Sequence, residues 1–115
     1  MKISEFIQAS GAKLLTVDTP DSEIASGYTC DLLSHVMGKG VEGMAWITVQ
    51  THMNVVAVAS LHEFSCIIVP ESIVVDQLIT DKAAEEGVAV ISSELTAFEL
   101  IAIMSRCGIP AAKKQ

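Results

Sequence analysis

From Met44 onward the chain alternates short apolar runs with longer segments of mixed pattern. Residues 44–49, 65–69 and 88–91 are apolar runs of strand length, each bounded by polar or turn residues. Residues 74–86 place Val75, Leu78, Ile79 and Ala83 on one side of a predicted helix that Gly87 ends, and Ser93 is set to cap a last helix running to about Cys107. Residues 54–62 fit either state, since Val55, Val56 and Val58 favour a strand while Ala57 and Ala59 allow a helix. Helix is preferred, because two parallel strands need a crossover of about a dozen residues between them. Strand and helix then alternate through the second half of the chain, which predicts βαβ units and an α/β sandwich.

The first half is less regular. Ser4 can cap a short helix with Phe6 and Ile7 inward and Gly11 as its stop. Residues 13–17 read as a strand halted by Asp18-Thr19-Pro20-Asp21, and residues 23–26 as a weaker strand leading to Gly27. Leu32, Leu33, Val36 and Met37 recur at helical spacing over residues 31–37, before Gly38. The sum is a mostly parallel sheet of about five strands in one domain, with no internal repeat or linker.

Composition sharpens this. Half of the 115 residues are apolar, but only 4% are aromatic and 18% charged. A core of Val, Ile, Leu and Ala with few rings suits a buried, mostly parallel sheet covered by helices. A formal net charge of −7 argues against a nucleic-acid surface, and the one adjacent basic pair is Lys113-Lys114. No apolar run approaches the ~18 residues of a membrane span, and MKISEFIQAS lacks a signal-peptide core. Cys30, Cys66 and Cys107 are odd in number and far apart, which fits buried thiols in a reducing cytoplasm better than disulfides or a zinc knuckle. The expected protein is cytoplasmic, bound neither to nucleic acid nor to a membrane.

The chemical motifs are mostly negative. Gly38-Lys39-Gly40-Val41-Glu42-Gly43 has the spacing of a dinucleotide fingerprint but follows a predicted helix and precedes a strand. The fingerprint needs the reverse order, so that helix N-terminal amides meet the pyrophosphate. His35, His52, His62 and Cys66 fall on different elements without metal-ligand spacing. No cofactor, metal site or catalytic constellation is expected. The one concentration of polar residues lies where three predicted strands end: Gln50, Thr51, His52 and Asn54 after the first, Glu71 and Ser72 after the second, Ser92, Ser93 and Thr96 after the third. In an open parallel sheet these ends share one edge beside helix N-termini, a geometry suited to a phosphate or carboxylate. Thr51, Ser72 and Ser93 are also what helix caps look like, so two readings stand: caps alone, or a ligand site built from Gln50, Thr51, His52, Asn54, Glu71 and Ser93. In the last helix, Leu95, Phe98, Ile101 and Ala102 make one apolar stripe that Leu100, Ile103 and Met104 widen. Covering a sheet takes a single stripe, so the surplus predicts burial under the chain's end or a homodimer interface.

The block GYTCDLLSHVM (27–37), followed by WITVQTH (46–52) and NVVAVA (54–59), resembles the DRTGG-type domains of bacterial regulatory proteins. These domains are similar to the non-kinase N-terminal domain of HPr kinase/phosphorylase. The resemblance implies a three-layer α/β/α fold and a non-catalytic regulatory or dimer-forming role. The naming Asp-Arg-Thr-Gly-Gly residues have no match, since the chain reads SLHEFSCIIVPES after Ala59. Any ligand contact built on them would be absent. A domain of this length would pass its output through another protein, with redox or hydrogenase components as the partners that the family's context implies. A small anionic ligand at the strand ends is the alternative role.

Overall fold

The computed structural model describes residues 1–113, so Lys114 of the basic pair lies outside the described residues. Its centre is a five-stranded sheet of β1 (Lys13–Leu14), β2 (Ser26–Thr29), β3 (Met44–Ile47), β4 (Cys66–Val69) and β5 (Ala89–Ser92). The spatial order is β1-β5-β4-β3-β2, with β2 to β5 parallel and β1 antiparallel to β5. Every residue of β3 and β4 is buried. Strands buried on both faces must be apolar at successive positions, which is why MAWI and CIIV carry no alternation.

The two faces support two helical layers. Met44, Trp46, Ile67, Val69, Val88 and Val90 pack with Val36 of α2 (Leu33–Lys39), Val55, Val56, Val58 and Ala59 of α3 (Met53–Leu61) and Ala83 of α4 (Gln77–Glu85). Ala45, Ile47, Cys66, Ile68, Ala89 and Ile91 pack with Ile3 and Phe6 of α1 (Ile3–Ser10) and with Leu100 and Met104 of α5 (Ala97–Arg106). This is a three-layer α/β/α sandwich. Residues 53–61 are the helix that the crossover argument preferred. No helix among the described residues is long and apolar enough to cross a membrane.

Several boundaries differ from the sequence expectation. The first strand stops at Leu14 instead of reaching Val17, because Thr16 Oγ1 accepts the Val90 N–H at 3.2 Å in place of a backbone carbonyl, and Asp18 then turns at φ 57°. The second strand is Ser26–Thr29, not residues 23–26. Gly27, expected just beyond that strand, is a strand residue against which Met104 packs: a Cβ there would lie 2.8 Å from Met104 Cε. The chain's end seals the outer edge of this strand, with Gly27 N–H donating to Pro110 O and Ala112 N–H to Gly27 O, both at 2.9 Å. The fourth helix begins at Gln77 behind an Asp76 cap, so residues 74–76 are not helical.

The glycine string serves packing. Gly40 ends α2 and lies under the ring of Phe64, itself edge-on to Trp46 with centroids 5.8 Å apart. A Cβ on Gly40 would stand 2.6 Å from Phe64 Cζ and 3.1 Å from Val36 O, and Phe64 is held between Trp46 and the stacked His62. Gly40→Ala is expected to cost about 1–3 kcal/mol through overpacking, read as a lowered melting temperature. Gly38→Ala, whose new Cβ would meet nothing within 4 Å outside its chain neighbours and its own helix backbone among the described residues, is expected to leave stability equal or higher.

Helix α1 starts on a carboxylate: Ser4 Oγ and Ser4 N–H donate to Asp21 at 2.6 and 2.8 Å. These bonds, the hydroxyl's first, hold the Asp21 carboxyl below its ordinary value of 3.8. A depressed folded-state pKa contributes stability above the unfolded value and loses it as pH falls. The difference in melting temperature between wild type and Asp21→Ala is therefore expected at neutral pH and should vanish as pH drops well below 3.8.

Candidate functional site at the carboxyl ends of the strands

The parallel strands β2 to β5 end along one edge, and the predicted polar residues fall there in two groups. The first surrounds Asp31, the residue after Cys30 at the end of β2. Asp31 Oδ1 accepts the Thr48 hydroxyl and the Val49 N–H, both at 2.9 Å, which fastens the loop before α2 to the end of β3. Gln50 joins this knot, its Nε2 donating to Asp31 O at 3.3 Å and its N–H to Thr48 Oγ1 at 3.2 Å. Trp46 Nε1 completes it from below, donating to Cys30 O at 2.8 Å. Gln50 is thus part of a structural clasp. His52 holds the N-cap position of α3 in extended conformation with no side-chain cap bond, so Thr51 is not the cap that its sequence position suggests. His52 and Asn54 are exposed and Thr51 is half-buried.

The second group lies between β4 and β5. Here the chain leaves neighbouring strands toward opposite layers, α4 joining α2 and α3 while α5 joins α1. Between β2, β3 and β4 all crossovers stay on one face, so the β4/β5 boundary is where a doubly wound sheet opens a crevice. Two loops knit it together. Glu71 N–H donates to Leu95 O at 2.9 Å, Ser72 N–H to Ser93 O at 2.8 Å, and Ser93 N–H to Val69 O at 3.0 Å. Making these bonds puts Glu71 and Ser72 in the left-handed region, at φ 58° and 55°. Ser93 is buried, and its hydroxyl accepts the Leu95 N–H at 3.0 Å. It therefore shapes the loop rather than capping the last helix. The cap is Thr96, which forms a reciprocal capping box with Glu99.

Beside the knitted loops is a cavity of about 600 Å³ lined by Lys13, Ser72, Val74, Ser92, Ser93 and Glu94, among others. An ammonium, three serine hydroxyls and a carboxylate can meet a ligand that carries both an anionic group and hydrogen-bond donors. Of the predicted residues, Ser93 lines this cavity, whereas Gln50, Thr51, His52, Asn54 and Glu71 are not in its lining. Lys13 escaped sequence reasoning because nothing local says that β1 pairs with β5; its register partner is Ser92. Elsewhere, burial pushes the Cys66 thiol up to about 12, leaving it protonated at neutral pH. Among the described residues no three His, Cys, Asp or Glu side chains gather as metal ligands.

No family model matches the sequence, and no curated protein matches it. A solved structure does: the CBS and DRTGG domains of the regulatory region of Clostridium perfringens pyrophosphatase, complexed with the activator diadenosine tetraphosphate. The TM-score is 0.71 over 98% of this chain, at 12% sequence identity. The two share a fold. This chain spans 50% of that neighbour's length, and at so low an identity the likeness extends to architecture alone.

Left-handed residues other than glycine cost about 1–2 kcal/mol each. Ser72→Gly should relieve that strain and, after the entropy that glycine adds to the unfolded chain, raise stability by up to about 1 kcal/mol. Thermal or urea denaturation checks this, and a loss of stability would mean that the Ser72 side chain contributes more than its backbone strain costs.

Proposed function

We propose that this protein is a non-catalytic regulatory domain of the cytoplasm that works as a homodimer and acts on a separate protein. The observation that carries the reading is the match of nearly the whole chain to part of a regulatory region, with a TM-score of 0.71. The residues agree with such a role. Asp31, Thr48 and Gln50 bind one another, Cys66 is a buried thiol, and the strand-end loops are devoted to bonding each other. The protein partner, for which redox and hydrogenase components are the first to test by co-purification, would read the state of this domain. Turnover of a metabolite by the purified chain would overturn the reading.

A second reading, a sensor for a nucleotide or another small anion, is favoured by the cavity at the β4/β5 boundary with Lys13 and its serines. The neighbouring regulatory region carries a nucleotide activator, which makes adenine nucleotides the first ligands to try. Its site would be either this cavity or the rim of Gln50, Thr51, His52, Asn54 and Glu71. A thermal-melt panel of adenine and guanine nucleotides, diadenosine tetraphosphate and inorganic phosphate separates them. A ligand at ~100 times its dissociation constant should stabilise the fold by roughly 2.7 kcal/mol. Loss of that shift in Lys13→Ala assigns the cavity, loss in His52→Ala or Asn54→Ala assigns the rim, and a flat panel removes the sensor.

A further inference from the structure

Helix α5 has two apolar faces. Leu100 and Met104 point into the core, while Phe98, Ile101, Ala102 and Ser105 are exposed on the outside. Phe98 is 84% exposed, an aromatic ring in water that no described residue covers. On the same helix, Ile101 and Ser105 form one wall of a mostly apolar groove of about 420 Å³. Gly27, Thr29, Ile47 and Pro110 are on its other side. The helix therefore carries a projection near its start and a depression near its end.

From this arrangement we infer that α5 is the face on which two copies of the chain meet, antiparallel about a twofold axis passing between Ile101 and Ala102. The inference rests on the homodimer reading and names its surface. A twofold interface uses one patch twice, so each projection must find the other copy's depression. With the axis at that point, Phe98 of each copy stands opposite Ser105 of the other and enters the groove beside it. Charge agrees with the antiparallel sense. Glu99 is in the first turn and Arg106 in the last, so each comes near its opposite on the second copy. Arg106 takes part in no ion pair among the described residues. Ala102 and Ser105 are small enough at the centre to let the helices approach to about 8–10 Å. Exposed aromatic anchors filling a partner's pocket are the usual centres of such interfaces.

The outer face of α3, with Met53, Ala57 and Leu61 exposed at i, i+4 and i+8, is the competing surface. Its charged neighbours Lys82 and Glu86 pair with each other within the chain at 3.1 Å, whereas Arg106 at the end of α5 has no such ion pair among the described residues.

Sedimentation equilibrium of the full chain tests the inference. Wild type is expected to be a dimer, and Phe98→Glu to raise its dissociation constant at least roughly 30-fold, the effect of losing a hot-spot residue. In a Cys30→Ser, Cys107→Ser background, Ala102→Cys should oxidise to a disulfide-linked dimer while Ala57→Cys should not. A dimer that survives Phe98→Glu and cross-links through position 57 would overturn the α5 interface and leave the dimer reading standing. A chain that stays monomeric at high micromolar concentration would overturn both.

Discussion

Burial of β3 and β4 on both faces is the constraint from which the rest of this molecule follows. MAWI and CIIV have no exposed position, so neither face of the sheet can meet water, and the chain must supply a helical layer on each. Alternate residues then serve different layers: Trp46 belongs with α2, α3 and α4, while Ala45 and Ile47 belong with α1 and α5. Because the parallel strands follow one another in space, three successive crossovers fill the first layer. The second layer is made from α1, before β1, and α5, after β5. That division is what sends α4 and α5 to opposite faces and opens the crevice between β4 and β5.

The parts of the fold that were legible in sequence are those that this constraint dictates. Continuous apolar runs fixed β3, β4 and β5, and the need for a crossover resolved α3, whose own residues were ambiguous between strand and helix. The parts that were not legible depend on contacts between distant residues. Gly27 falls outside the expected strand because its place in β2 depends on Met104, which fills the space that a side chain would take. β1 is cut short by a hydroxyl, Thr16, that takes a bond the strand would otherwise make to Val90. The start of α5 is a local signal: Thr96-Ala97-Phe98-Glu99 has capping-box spacing, whereas Ser93 only follows the strand directly.

The candidate site divides in the same way. That polar residues gather at the strand ends could be read from the sequence, since a parallel sheet brings those ends to one edge. Which of them are committed to structure could not. Gln50 is bound to the Asp31 loop, and Ser93 is bound to its own turn. The cavity instead gains its cation from Lys13, whose register partner Ser92 is far along the chain, through a strand pairing that only the tertiary fold specifies.

The same topology places the candidate cavity and the outer face of α5 next to each other along the chain. Ser93 and Glu94 line the cavity, Leu95 carries the carbonyl that holds Glu71, and Thr96 caps the helix on which Phe98 projects two residues later. A ligand that altered the bonds between the 70–73 and 93–95 loops would act on the first turn of α5, which carries the ring that the proposed twofold contact uses. Linkage limits how strong such control can be: a ligand shifts the monomer–dimer balance only by the difference in its affinity for the two states. Two of the loop bonds are made by Glu71 and Ser72, residues held in left-handed backbone, so this seam carries local strain that the buried strands do not. Two central strands buried on both faces, beside one knitted seam that holds residues in left-handed backbone, give the proposed regulatory reading a defined place to act.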